Sequence, residues 1–136
     1  MKNFINISLI FTFFSLLFFA CDDTGINNNI DDIIIPSQNV SYAEYIQPIF
    51  NYKCTNTACH DSETRAGSLD LTTWAGATSN PLIISPGLPD NSKLIWAVEG
   101  NSGASLMPPP YGPVTPLTDN QIEGLRTWIT EGAKAN

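Results

Sequence analysis

Two cysteines and a histidine form the densest group of reactive side chains in the sequence. Cys54 and Cys59 are separated by four residues, and His60 follows the second cysteine directly. Thiols and an imidazole in this arrangement can form a disulfide, act as a redox dithiol, bind a metal ion or hold a haem through thioethers. His60 is the only histidine in the chain, so any chemistry here that needs an imidazole must use it.

The direct succession of cysteine and histidine favours covalent haem attachment. In the usual C-x-x-C-H motif the thiols bond to the haem vinyl groups, and the histidine becomes the proximal iron ligand. Two additional residues separate Cys54 from Cys59, which predicts a bulged loop between them. Thioredoxin-like spacing is absent, and a zinc ion would lack a fourth ligand. A disulfide would close too short a loop to stabilise much, but a disulfide-stapled, non-redox envelope protein remains the main alternative.

A methionine supplies the candidate for the second iron ligand. Apart from Met1, Met107 is the only methionine, and Pro108, Pro109 and Pro110 follow it. Prolines fix φ and stiffen the backbone, so this segment can hold a weak thioether ligand in place. The sequence therefore predicts His60 and Met107 as axial ligands. If Met107 only fills a core gap, the distal site is open and the protein is a haem-based ligand sensor.

Two terminal helices and a shorter middle one are predicted to position these residues. Ser41 and Glu44 fit a capping box, and an apolar face follows it, although Pro48 should make the helix irregular. Thr118 and Gln121 fit a second capping box before a helix that ends near Gly132. A middle helix is predicted over 91–99. The apolar positions of the outer helices are Tyr42, Tyr45, Ile46, Ile49 and Phe50, then Ile122, Leu125, Trp128 and Ile129.

Long connecting segments at 67–89 and 100–116 hold most of the glycine and proline. So much loop is unusual in a domain of about a hundred residues unless the loops are functional. A large prosthetic group that supplies the missing core would account for it. The prediction is an all-α domain with three to four helices around one covalent haem.

The N-terminus predicts export. Lys2 precedes an apolar stretch at 5–19, which is typical of a secretory signal. The sequence LFFAC at 17–21 resembles a bacterial lipobox, which implies that Cys21 receives diacylglycerol and becomes the mature N-terminus. We therefore expect a signal peptide at 1–20, a flexible tether at 21–40 and the domain at 41–136. The protein would be anchored to a bacterial envelope membrane, in the periplasm or at the cell surface.

The charge of the predicted mature chain is strongly negative. Removal of 1–20 loses Lys2, which leaves five basic residues against thirteen acidic ones and a formal charge of −8. An acidic surface disfavours nucleic acid and anionic headgroups as binding partners. It favours a redox partner with a basic docking face.

The motifs together resemble class I c-type cytochromes, and more narrowly planctomycete-type cytochrome c domains and related lipoproteins. The resemblance covers about 41–133 and implies a cytochrome c-like fold in which the first and last helices cross near the haem. It also implies one haem c held by Cys54, Cys59, His60 and Met107, and a monomeric electron carrier rather than an enzyme. The matching stretches are 45–50, 54–60, 67–71, 85–87, 92–94, 107–109, 125–129 and 132–133.

Overall fold

The computed structural model describes residues 29–136. Within this part the chain forms four helices joined by long loops, with no strand, and the predicted all-α class is confirmed. None of the described helices is long and apolar enough to cross a membrane. The predicted signal peptide and Cys21 lie outside the described residues. The helices are α1 at 42–54, α2 (Trp74–Ala77), α3 (Lys93–Glu99) and α4 (Asp119–Thr130), and short 3₁₀ turns lie at Ile30–Asp32, Ala66–Ser68 and Pro89–Asn91.

Helix α1 has an irregular hydrogen-bond ladder, as its central proline predicts. A single α turn, Gln47–Ile49, lies between two π-helical segments, Tyr42–Ile46 and Phe50–Cys54. Because Pro48 has no N–H to donate, the regular ladder cannot run through it. The wide second π segment ends at the first cysteine, where the Thr55 N–H donates to the Phe50 carbonyl at 3.0 Å. Such segments occur frequently at functional sites.

Helices α3 and α4 follow their predicted signals closely. Thr118 and Gln121 form the complete capping box, and the residues after α4 turn at Gly132, whose φ is 101°. Helix α3 begins two residues later than predicted, because 89–91 forms a separate 3₁₀ turn. It ends at Gly100, whose φ of 66° is a left-handed conformation that costs glycine little.

An aromatic cluster joins the first and last helices. The ring of Trp128 in α4 lies 5.4 Å from Tyr42 and 6.4 Å from Phe50, both in α1. Trp128 and Phe50 meet edge to face with an interplanar angle of 80°. All three side chains are buried, and aromatic pairs in this arrangement add about 0.5–1.5 kcal/mol beyond area burial. The cluster fixes α1, and therefore Cys54 at its end, relative to α4.

Residues 29–40 pack on the domain rather than forming part of a tether. Ile35 is 5 % exposed, and Asn120 of α4 accepts from its N–H at 2.8 Å and donates to its carbonyl at 3.1 Å. Glu131 accepts from the Val40 N–H at 2.9 Å. The predicted tether at 21–40 is therefore wrong for its second half, because α4 supplies both apolar and polar partners to this segment. The packed domain includes Asn29 onward.

Gly124 of α4 provides the space into which Ile35 packs. A Cβ at position 124 would lie 2.7 Å from Ile35 Cγ2. We expect Gly124→Val to displace Ile35 and to lower the free energy of unfolding by about 1–3 kcal/mol, as overpacking does. Denaturant unfolding and limited proteolysis within 29–40 measure this. Glu123→Val, one position earlier and exposed, introduces the same side chain into α4 without meeting Ile35, and an equal loss in both variants would contradict the assignment.

An ion pair ties the N-terminal segment to the end of α1. The Lys53 Nζ lies 2.7 Å from Asp31 Oδ1, and the two side chains are 3 % and 27 % exposed. Asp31 also accepts from the Thr115 hydroxyl at 3.1 Å and from Gln121 Nε2 at 3.2 Å. The hydrogen bond from Lys53 is the main cause that lowers the pKa of Asp31 below its ordinary value of 3.8. We call Lys53, Asp31 and Thr115 the Lys53 node.

The Lys53 node predicts an acid-sensitive contribution to stability. Since the Asp31 pKa is lower in the folded chain than in the unfolded chain, its contribution is complete above about 3.8 and is lost as the pH falls through the depressed value. At neutral pH we expect Asp31→Asn to lower the free energy of unfolding by about 1.5–3 kcal/mol, a typical value for hydrogen bonds to charged groups. Chemical unfolding at pH 7 and at stepwise lower pH should show the two proteins converging. A gap that stays constant with pH would refute this role for the carboxylate.

Candidate haem site

The predicted site residues line two adjoining cavities between α1, α3 and the loops. The larger, inner cavity has a volume of about 430 Å³ and lies against α3, whereas the outer cavity of about 300 Å³ lies against the cysteine loop and the prolines after Met107. Cys54, His60 and Met107 border both cavities, and Cys59 borders the outer one. The structure therefore brings all four predicted residues of the domain together.

The cavity walls are apolar and carry no carboxylate. The inner cavity has Lys93 as its one charged residue, and the outer cavity has Lys53. Around them lie aliphatic and aromatic side chains. A large apolar group with acidic substituents would fit these walls better than a polar substrate, because burying polar groups without partners is costly. The apolar lining consists of Ala66, Leu69, Leu71, Ile83, Leu94, Trp96, Ala97, Val98, Ala104, Pro108, Pro109, Pro113 and Val114.

A backbone carbonyl orients the imidazole. His60 Nδ1 lies 2.8 Å from the Ala66 carbonyl oxygen. Because a carbonyl can only accept, Nδ1 carries the hydrogen, which leaves the lone pair of Nε2 available as a ligand. The loop is itself fixed, since the Ala66 N–H donates to the Cys59 carbonyl at 2.9 Å and the His60 N–H donates to the Cys54 carbonyl at 3.1 Å. Metal-bound histidines are commonly oriented in this way.

The two cysteines lie at either end of a short turn. Thr57 and Ala58 are exposed, and the Cys59 N–H donates to the Asn56 carbonyl at 2.9 Å. The sulfurs are not joined to each other. Burial, and secondarily the neighbouring Cys59, raises the pKa of the Cys54 thiol to about 12, so its sulfur is uncharged at neutral pH. Within residues 29–136, no group of three or more His, Cys, Asp or Glu side chains could hold a metal ion.

Met107 is anchored to the end of α3. Its N–H donates to the Ala97 carbonyl at 2.9 Å. Leu106 packs over Gly100, where a Cβ would lie 3.2 Å from Leu106 Cδ1. The next residue, Pro108, is buried. These contacts place the methionine at the border of both cavities.

The residues present fit a covalently bound haem. The volumes of the two cavities fall in the range of small-molecule and cofactor sites, about 300–1,000 Å³. Two thiols, an imidazole with a free Nε2 and a thioether border the same apolar space. An all-helical chain whose loops enclose such a cleft has the features that a haem-binding domain requires.

Comparison with known families finds one family of haem proteins that resembles part of the chain. The family model described as planctomycete cytochrome C matches residues 57–111, and the predicted resemblance is confirmed over this segment. The match includes Cys59, His60 and Met107, and it leaves out Cys54 and α4. No curated protein and no solved structure matches the chain significantly.

Three features of the site were not predicted from the sequence. Lys53 and Lys93 border the cavities, and the Ala66 carbonyl orients His60. The position of Lys53 directly before Cys54 could have indicated that this lysine lies near the site. A backbone carbonyl six residues from a histidine leaves no side-chain signature.

Proposed function

We propose that this chain is an electron-transfer cytochrome that carries one haem, bonded to Cys54 and Cys59, with His60 and Met107 as the axial iron ligands. The observation that carries the proposal is the apolar cleft shared by these residues, with the free Nε2 of His60 and the Met107 thioether both at its border. When bound, the haem supplies a one-electron Fe(II)/Fe(III) couple.

The chain's contribution is to hold both ligands still within apolar walls. The imidazole is fixed through the Ala66 carbonyl, and the methionine is fixed through the Ala97 carbonyl. Ligands attached to rigid main chain change little between oxidation states, which keeps the barrier to electron transfer low. The aliphatic walls lower the local dielectric and so tune the reduction potential. Lys93 offers a positive charge to an acidic substituent of the bound group.

A simple chemical test separates this function from the alternatives. The full-length protein is exported in a host with a cytochrome-assembly system and purified. We expect one haem per chain by pyridine haemochrome, retention of the haem after denaturation, and resistance of the reduced protein to carbon monoxide. A bare polypeptide with Cys54 joined to Cys59 would refute the proposal in favour of the non-redox protein. Ready binding of carbon monoxide would favour the ligand sensor.

The proposal extends to export and lipid attachment at Cys21. Its support is the apolar stretch at 5–19 and the small residue Ala20 before the cysteine. The mature protein should begin at Cys21 and carry diacylglycerol, which intact-mass spectrometry can detect. Cys21→Ser should release the exported domain from the envelope membrane. A wild-type chain processed at another position would contradict the anchor without affecting the haem.

We also propose that this protein is a monomer. Its redox partner would bind it through a basic face on the partner's surface. Among the described basic residues, Lys53, Arg65 and Arg126 each pair with an acidic side chain of the domain. The remaining surface charge is therefore predominantly acidic. Charge steering of this kind weakens with salt, so the rate of electron exchange with a basic acceptor should fall as ionic strength rises.

A further inference from the structure

The segment that carries Met107 lines the outer cavity. We call residues 107–116 the distal strap. Its first end is held by the hydrogen bond from the Met107 N–H to the Ala97 carbonyl. Its middle, 109–113, is exposed and contains an internal turn in which the Gly112 N–H donates to the Pro109 carbonyl at 2.8 Å. The position of the strap therefore depends strongly on what holds its second end.

Lys53 holds that second end. Its ammonium group donates to Thr115 Oγ1 at 2.6 Å, to the Thr115 carbonyl at 3.3 Å and to the Pro116 carbonyl at 3.4 Å. Asp31 supplies the countercharge that a buried ammonium needs, because an unpaired buried charge is costly. Since Lys53 directly precedes Cys54, one side chain connects the attachment helix to the far end of the strap.

We infer that Lys53 is a positioning residue that sets the distance between the two walls of the cleft and thereby holds the Met107 thioether against the iron. This inference rests on the proposed function. A thioether is a weak, neutral ligand, and its binding depends on how little freedom the strap loses on ligation. With its second end released, the strap samples more conformations, and the ligand dissociates more often.

The first test is Lys53→Leu in the full-length holoprotein. Leucine removes the three donors and adds no second thioether at a residue that borders the outer cavity. We expect unchanged haem content by pyridine haemochrome, loss or strong weakening of the ferric thioether–iron absorption near the red end of the visible spectrum, and new binding of carbon monoxide to the reduced protein. Hydrogen exchange over 107–116 should become faster. Lys134→Leu removes an exposed lysine and should change none of these properties.

A milder pair of variants keeps the inference testable if Lys53→Leu does not mature. Thr115→Val keeps the shape and removes the hydroxyl that contacts both charged partners, whereas Thr115→Ser retains the hydroxyl. We expect the absorption to weaken in the valine variant and to persist in the serine variant. A normal absorption and carbon monoxide resistance in Thr115→Val would overturn the inference while the wild-type haem content still supports the proposed function. A wild-type protein without haem would overturn both.

Discussion

Replacement of His60 by alanine should leave the exported chain almost without stably ligated haem. The imidazole is the one histidine side chain in the sequence, and the Ala66 carbonyl holds it with Nε2 free toward the cleft. Loss of a hydrogen-bond partner of a metal ligand already costs roughly 10–100-fold in affinity or activity, so loss of the ligand itself should cost more. Haem per chain by pyridine haemochrome measures the effect, with circular dichroism to follow the fold.

Two controls make the His60 result specific. Thr57→Ala alters an exposed residue of the same loop and should leave the haem content unchanged. Imidazole added to the His60→Ala protein should occupy the vacated volume and restore part of the wild-type spectrum in any haem that remains bound. A variant that retains full haem content and an unaltered spectrum would show that another group binds the iron.

The helices were predictable because their signals are local. In α4, the residues of the capping box are three positions apart, and the buried stripe recurs at helical spacing. Pro48 predicted the irregular hydrogen-bond ladder of α1 in the same way, through a missing donor within one turn. The cysteines and His60 were recognisable because haem attachment needs fixed residue types close together. For each of these features, the interacting groups lie within a few residues of one another.

The features that were missed depend on partners far away in the chain. Asn120, which binds the backbone of Ile35, lies 85 residues later, so no local pattern showed which element this segment packs on. The burial of Lys53 likewise depends on Thr115, 62 residues later. The type of neither residue identifies the distant partner that it contacts. Only the fold brings such partners together, which explains why the domain boundary and the anchor of the distal strap were not predicted.

Replacement of Met107 by alanine should open the distal site and lower the reduction potential. Methionine ligation favours the reduced iron and raises the potential. Axial ligands set the reduction potential of haem proteins over a range of about 0.8 V. Loss of the methionine should therefore lower the potential by a sizeable part of that range. The ferric thioether–iron absorption should disappear, and the reduced protein should bind carbon monoxide. Because the Met107 N–H bond to the Ala97 carbonyl belongs to the backbone, the strap should keep this anchor in the variant.

The matched control for Met107 is Leu106→Ala. Leu106 lies next to the methionine, outside the distal strap, and packs over Gly100, so its truncation removes a neighbouring apolar contact while both ends of the strap keep their hydrogen bonds. We expect Leu106→Ala to keep the absorption and to shift the potential much less than Met107→Ala does. A Met107→Ala protein with the wild-type potential and spectrum would exclude the methionine as a ligand, and the cleft would then be that of a haem protein with an open iron. The potential and the absorption must change together if one sulfur atom determines both.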